Sequence, residues 1–283
     1  MINIKSAIAV LAFFFLSAAA AQADVISAEE VKTLMNGNED LVIIDANNYD
    51  HYRAVHLEGA VNIFHSSLYR KGDIAGLVRS PAELAEIFGK HGVSESSNIV
   101  IYDDRGQLYA SRIYWILKYL GAEKVSVLHK DTDAWCKAGL PLVTALTRVN
   151  PATFTPNPNA DLYASTRYVR DHKNDPNVVL VDVRTPAEYV GTASNSDGHI
   201  EGAININFTD MLTEKGDFKD ASELAAIAAA NGISPDKEVI FYCRTSVRGS
   251  VSFAAFESVL GYENVRLYDG AYVEWALSNP VVE

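Results

Sequence analysis

Two kinds of hydrophobic pattern alternate along this chain. Residues 178–181 (Val-Val-Leu-Val) and 239–242 (Val-Ile-Phe-Tyr) are unbroken apolar runs, the signature of strands buried on both faces in a parallel sheet. Between such runs, 222–231 places Leu224, Ile227 and Ala228 at helical spacing, and Gly232 follows as a stop. Residues 250–260 form a second helical stretch before Gly261. Strand and helix in alternation predict an α/β fold with parallel sheets flanked by helices.

The pattern occurs twice. Leu41-Val42-Ile43-Ile44-Asp45 resembles Val178-Val179-Leu180-Val181-Asp182, and His56-Leu57-Glu58-Gly59-Ala60-Val61-Asn62-Ile63 resembles His199-Ile200-Glu201-Gly202-Ala203-Ile204-Asn205-Ile206. Pro81-Ala82-Glu83-Leu84-Ala85 matches Ala221-Ser222-Glu223-Leu224-Ala225, Asn98–Tyr102 matches Glu238–Tyr242, and Trp135 matches Trp275. From Pro81 onward the offset is a constant 140 residues; earlier it is 137 and then 143, so short loop changes separate two copies of one unit. Pro151, Pro156 and Pro158, set among Asn and Thr, mark 147–161 as the linker. The predicted division is therefore 24–146, linker 147–161, and 162–283.

Residues 1–23 stand apart. Lys5 is their one charge, residues 8–16 are an apolar run, and Ala21-Gln22-Ala23 has the small-x-small form of a secretory cleavage site. The run is too short to span a bilayer, so the expectation is a leader removed after Ala23 and a mature chain outside the cytoplasm, periplasmic in a Gram-negative cell. Over all 283 residues, 24 Lys+Arg face 36 Asp+Glu, a net charge of −12. That charge argues against nucleic acid and against an anionic membrane surface as partners. Two cysteines, Cys136 and Cys243, are too few for a disulfide framework or a four-cysteine zinc site, and no metal or organic cofactor is implied.

The candidate chemistry follows the run 239–242. Cys243-Arg244-Thr245-Ser246-Val247-Arg248-Gly249 leads from that strand into a helix. The carboxyl end of a parallel strand is where α/β folds place their ligands. A short loop entering a helix points several backbone N–H groups into one concavity suited to an anion. With Arg244 and Arg248 beside it, Cys243 should be drawn toward its thiolate and act as a nucleophile.

With these residues, the chain resembles a tandem-domain rhodanese, the sulfurtransferase family. The cues are Val181-Asp182-Val183-Arg184 with Glu188-Tyr189, the Gly198-His199-Ile200-Glu201-Gly202-Ala203 turn, and the Cys243 loop. The resemblance implies a catalytic second domain, in which Cys243 takes a sulfane sulfur from an anionic donor such as thiosulfate or 3-mercaptopyruvate. The persulfide so formed then passes its sulfur to cyanide or a thiol. Arg244 and Arg248 would hold the donor, and the N–H groups of 244–249 would stabilise the terminal sulfur. The partners are thus a small-molecule donor and acceptor, and a protein acceptor is compatible with the same chemistry. Asp103 occupies the nucleophile's place in the first copy, so that half should be inert and serve to wall the cleft.

Spacing separates sulfur transfer from its nearest alternative. Cys243 and Arg248 form Cys-x4-Arg, whereas related phosphatases use a loop one residue longer; a phosphatase or arsenate-type enzyme and a non-enzymatic persulfide carrier are the alternatives. Mammalian relatives of the family place a donor-binding arginine where this chain has Glu188, and one of them a lysine where it has Thr245. Asp182 and Arg184 are supporting positions, with Arg184 expected to pair with Glu188. His56 and His199 should serve the turn and Trp135 and Trp275 the core. Cys136 is expected to be a buried spare thiol; an oxidising compartment would permit a Cys136–Cys243 disulfide, which would block catalysis.

Overall fold

A computed structural model describes residues 24–37, 40–129 and 132–283. The leader expected at 1–23 lies outside the described residues. Among them, no helix is long and apolar enough to cross a membrane.

The strands, in chain order, are β1 (Val25–Ile26), β2 (Leu41–Asp45), β3 (His56–Leu57), β4 (Val61–Asn62), β5 (Asn98–Tyr102), β6 (Lys124–Leu128), β7 (Leu142–Val143), β8 (Tyr163–Ala164), β9 (Val178–Asp182), β10 (Ile204–Asn205), β11 (Glu238–Tyr242) and β12 (Val265–Tyr268). The first domain carries a wholly parallel sheet in the order β1-β6-β5-β2-β4; the second carries another, β10-β9-β11-β12-β8. Helices flank both, as the alternating pattern predicts. The central pairs are in matching register: Asp45 lies opposite Tyr102, and Asp182 opposite Tyr242.

Local chemistry sets the helix ends. Ser80, Thr185 and Asp220 each close a capping box with Glu83, Glu188 and Glu223, satisfying backbone donors that a helix start leaves free. The helix expected at 222–231 is Ala221–Ala230. The one expected at 250–260 starts earlier, at Val247, because Ser246 takes a left-handed conformation (φ +63°) that turns the chain straight into it.

One large apolar cluster runs through both domains and across their boundary, where the helix Leu108–Tyr119 packs on Val247–Ala254. Each domain adds a smaller cluster on its outer face, containing Trp135 in the first and Trp275 in the second. The Pro-rich segment 147–161 is not a loose tether. It crosses the first domain, with Ala152 N–H bonded to the Gly89 carbonyl, Asn157 N–H to that of Leu120, and Phe154 in the core.

Candidate active site

Cys243 follows β11 directly and is 1% exposed. Its carbonyl accepts the Tyr272 N–H (3.0 Å) and that of Arg244 accepts the Val273 N–H (3.2 Å), so the loop is pinned to the helix Ala271–Ser278. The Ser246 hydroxyl donates to the Tyr268 carbonyl, and the Ser246 carbonyl accepts from Ser250 N–H (3.1 Å) and Oγ (2.9 Å). Val247 is buried. Gly249 lies so close to β11 and β12 that a Cβ there would come 2.8 Å from Leu267 Cδ1. The loop is therefore rigidly held before any substrate arrives.

The two arginines have protein partners. Arg244 Nη1 donates to the Asn195 carbonyl (2.5 Å). Arg248 grips Glu188 with both arms, Nη1–Oε2 at 2.7 Å and Nη2–Oε1 at 2.8 Å. Those bonds bring the Glu188 carboxyl from 4.5 down to about 2. Burial opposes the Arg248 cation, but its bonds to Glu188 and the Cys243 sulfur nearby outweigh burial and hold it above the usual guanidinium range.

This pairing corrects one expectation: Arg184 does not reach Glu188's carboxylate. Its guanidinium is fully buried on the Asp182 carboxylate (2.6–3.0 Å), with further bonds to Ser196 Oγ and the Gly198 carbonyl, both 2.8 Å, and the Tyr272 ring 4.0 Å away. Arg184 thus ties β9 to the 191–198 insertion, which also carries Asn195.

The first domain displays what such a loop does with a negative charge. Asp103, at the place of Cys243, is 2% exposed, and its carboxylate accepts N–H bonds from Arg105 (2.8 Å), Gln107 (3.1 Å), Tyr109 (2.6 Å) and Ala110 (2.8 Å). The cradle is filled by the chain's own carboxyl group, whose pKa burial pushes up against the pull of those N–H bonds. Its loop is one residue longer than the Cys243 loop: Gly106 and Gln107 both have positive φ and the helix begins at Leu108, against Ser246 alone and a start at Val247. The second domain regains the register through the π-helix Ala255–Val259.

Beside Asp103 the first domain is hollow. Asn47 stands where the second domain has Arg184, and the 191–198 insertion has no counterpart. A cavity of about 340 Å³ remains, lined by His51, Val55, Asp104, Trp135, Cys136 and Leu142 among others. Cys136 is exposed and free, not buried as expected; Trp135 takes the inward face of their short helix and leaves Cys136 outside. Cys243 is also free. His56 and His199 do serve the turn, each stacked on a tyrosine (Tyr52 at 3.9 Å, Tyr189 at 3.7 Å).

Sequence reasoning gives the first domain the part of a wall to the cleft but names none of the residues that reach the loop. That domain's strap 69–78, closed by a bridge between Tyr69 and Val78, lies on the Cys243 loop, and a Cβ on Gly76 would come 2.6 Å from the Thr245 carbonyl oxygen. Arg112 and Asp269 lock the strap across the domain boundary. They pair at 2.5 Å with almost no exposure, while Arg112 Nη2 also donates to the Gly76 carbonyl (2.9 Å) and Asp269 Oδ2 accepts the Val78 N–H (3.1 Å). Tyr69 on this strap sits 2.6 Å from His65 Nδ1; burial, helped by the Arg112 charge, lowers His65 to about 4, so a neutral ring faces the phenol. The second domain returns the arrangement: its strap, bridged from Leu212 to Phe218, reaches the Asp103 loop at Gly106, with Asp217 3.1 Å from His129. No periodicity marks these residues, since Arg112 and Asp269 have no like twin at the repeat offset.

The description "Rhodanese-like domain" matches residues 27–138 and again 165–278. The chain belongs to the rhodanese-like family. Thiosulfate sulfurtransferase of Bos taurus is 33% identical over 208 residues, 70% of this chain and 69% of that one. A sulfur carrier protein of Thermus thermophilus is 31% identical over 210 residues, 69% of this chain and 74% of its own. Among solved structures, SseA from Escherichia coli, a 3-mercaptopyruvate sulfotransferase, superposes with a TM-score of 0.78 at 26% identity over 88% of this chain and 99% of that one. Two parallel α/β domains of the rhodanese type are thus the architecture of this member as well.

Proposed function

We infer that this rhodanese-like chain is a sulfurtransferase, with Cys243 as its nucleophile. The observation that carries the reading is the contrast between the two cradles: one closed by its own Asp103 carboxylate, the other built around a thiol with Arg248 beside it. The Cys243 thiolate attacks the outer sulfur of a donor such as thiosulfate; a new S–S bond forms, the donor's S–S bond breaks, and sulfite leaves with its electron pair. Thiolate and persulfide each carry one negative charge, which the N–H groups of 244–249 and the helix entrance favour. An acceptor, cyanide or a thiolate, then takes the terminal sulfur and returns Cys243 to the thiolate. Thr245, Ser246, Val247 and Gly249 would bind through the loop backbone rather than through their side chains, while Asp182 and Arg184 fix the strand end. The four-residue turn, shorter than the Asp103 loop, favours a terminal sulfur over a phosphate.

Export is proposed on the apolar run and the Ala21-Gln22-Ala23 pattern within residues 1–23, and a protein acceptor fits the same persulfide. The deciding experiment is intact mass after thiosulfate treatment. One added sulfur is expected on the wild type and on Cys136→Ser, none on Cys243→Ser, with cyanide removing it as thiocyanate. Sulfur retained by Cys243→Ser would overturn the assignment.

A further inference from the structure

Glu188 stands within the site yet takes no part in the steps above. Its carboxylate is 9% exposed, is held in place by Thr185 N–H (3.2 Å) and Oγ (3.0 Å), and occupies both arms of Arg248. A guanidinium gripped on both arms has little left for a second bidentate partner, and its charge is already neutralised. Arg244 is engaged by the Asn195 carbonyl, a neutral partner, so it keeps its charge. A donor approaching Cys243 therefore meets one unbalanced side-chain cation rather than two.

We propose that Glu188 is a specificity-determining residue: by occupying Arg248 it tunes the site to sulfane-sulfur donors with a single negative charge, such as thiosulfonates and organic persulfides, and against dianions. This rests on the reading of Cys243 as the sulfur-accepting thiol. The matched pair for testing it is thiosulfate and methanethiosulfonate, near-isosteres in which one oxyanion is replaced by methyl. In both, the thiolate attacks the outer sulfur and the S–S bond to the oxidised sulfur breaks; sulfite leaves in one case and methanesulfinate in the other. Their leaving groups differ, so the informative quantity is how the ratio of their kcat/KM values changes when Glu188 changes.

Glu188→Gln keeps the length and the hydrogen bonds to Thr185 while removing the charge. Releasing one guanidinium for a charge-assisted bond should raise kcat/KM for thiosulfate by about 10- to 100-fold and that for methanethiosulfonate by no more than about 3-fold. Glu188→Asp, one methylene short of Arg248, gives a second variant should the first fail to fold, and should raise the ratio by a few-fold. A ratio unmoved by either substitution, with Cys243 still gaining sulfur by intact mass, would overturn the role of Glu188 alone. A wild-type chain that gains sulfur from neither donor would overturn the Cys243 reading and this inference with it.

Discussion

Replacing Asp269 by Leu tests whether the two domains are held together over the active loop by one buried charge pair. The Asp269 carboxylate is the ion-pair partner of the Arg112 guanidinium, which has no exposure, and it also accepts the Val78 N–H. Stranding a buried cation costs about 3–5 kcal/mol, and an orphaned buried N–H adds roughly 1–3 kcal/mol. The expected loss is then about 4–8 kcal/mol, a large share of the ~5–15 kcal/mol that a folded protein has. At roughly 2–4 °C per kcal/mol for a chain near this size, Tm should fall by about 8–32 °C. Arg112→Met alone should cost a similar amount, because Asp269 is then the stranded charge. The double variant removes both charges and should recover at least ~2 kcal/mol relative to the sum of the singles, since apolar replacement of a buried pair is nearly neutral. Urea unfolding of all four proteins at constant pH measures this, provided the slope m stays unchanged. A single-variant loss under about 1 kcal/mol, or strict additivity in the cycle, would refute the reasoning. Kinetics supply a second reading: the strap 69–78 loses its anchor in the single variants, so kcat/KM should fall along with stability.

The remaining expectations bear on the cradle and its surroundings. Asp103→Ala leaves four backbone donors facing an emptied site; stability should drop by roughly 2–4 kcal/mol while turnover at Cys243 stays within about 3-fold, by urea unfolding and steady-state kinetics. Gly76 has φ +88° and no room for a Cβ beside Thr245, so Gly76→Ala should lower kcat/KM by about 10- to 100-fold through displacement of the loop. Gly216→Ala, at φ +85° on the strap over the inert loop, should cost stability and leave turnover unchanged; equal kinetic effects from the two would contradict the division of labour. Glu188 is depressed from 4.5 to about 2 by Arg248, so its stabilisation, up to ~3 kcal/mol, is present above pH 4.5 and fades as pH falls toward 2. The stability gap between wild type and Glu188→Gln should accordingly shrink from pH 6 to pH 3.

Legibility divided along a physical line. The strands were readable because Val178–Asp182 and Glu238–Tyr242 are apolar enough to state their burial locally, and the duplication because like runs recur in order. The Cys243 loop was readable because a thiol, two arginines and a helix entrance are neighbours in sequence. Glu188 was recognisable as a departure from the arginine of mammalian relatives, but its partner was not: Arg248 lies 60 residues on and meets it only when β9 and β11 pair. The early start of the helix at Val247 was hidden as well, because a serine at positive φ has no compositional mark as a glycine does. Cys136 was misplaced since a lone cysteine beside a tryptophan gives no sign of which of them faces the core.

The π-helix Ala255–Val259 has a bearing on how the two halves came to differ. Strands β5 and β11 and the helix ends near Leu120 and Leu260 keep the 140-residue spacing, yet between them the helix of the second half starts one residue sooner and holds the surplus in its widened turn. An alignment by number therefore pairs residues that do not occupy equivalent places along these helices, and the divergence lies in backbone phase as well as in side chains. Placing a cysteine at position 103 would put sulfur into a five-residue loop whose donors are spaced for a carboxylate. Ancestry in either direction between the two halves thus required at least two coupled changes, the exchange of the nucleophile and a one-residue slip of the helix behind it, and neither change alone yields the other half's site.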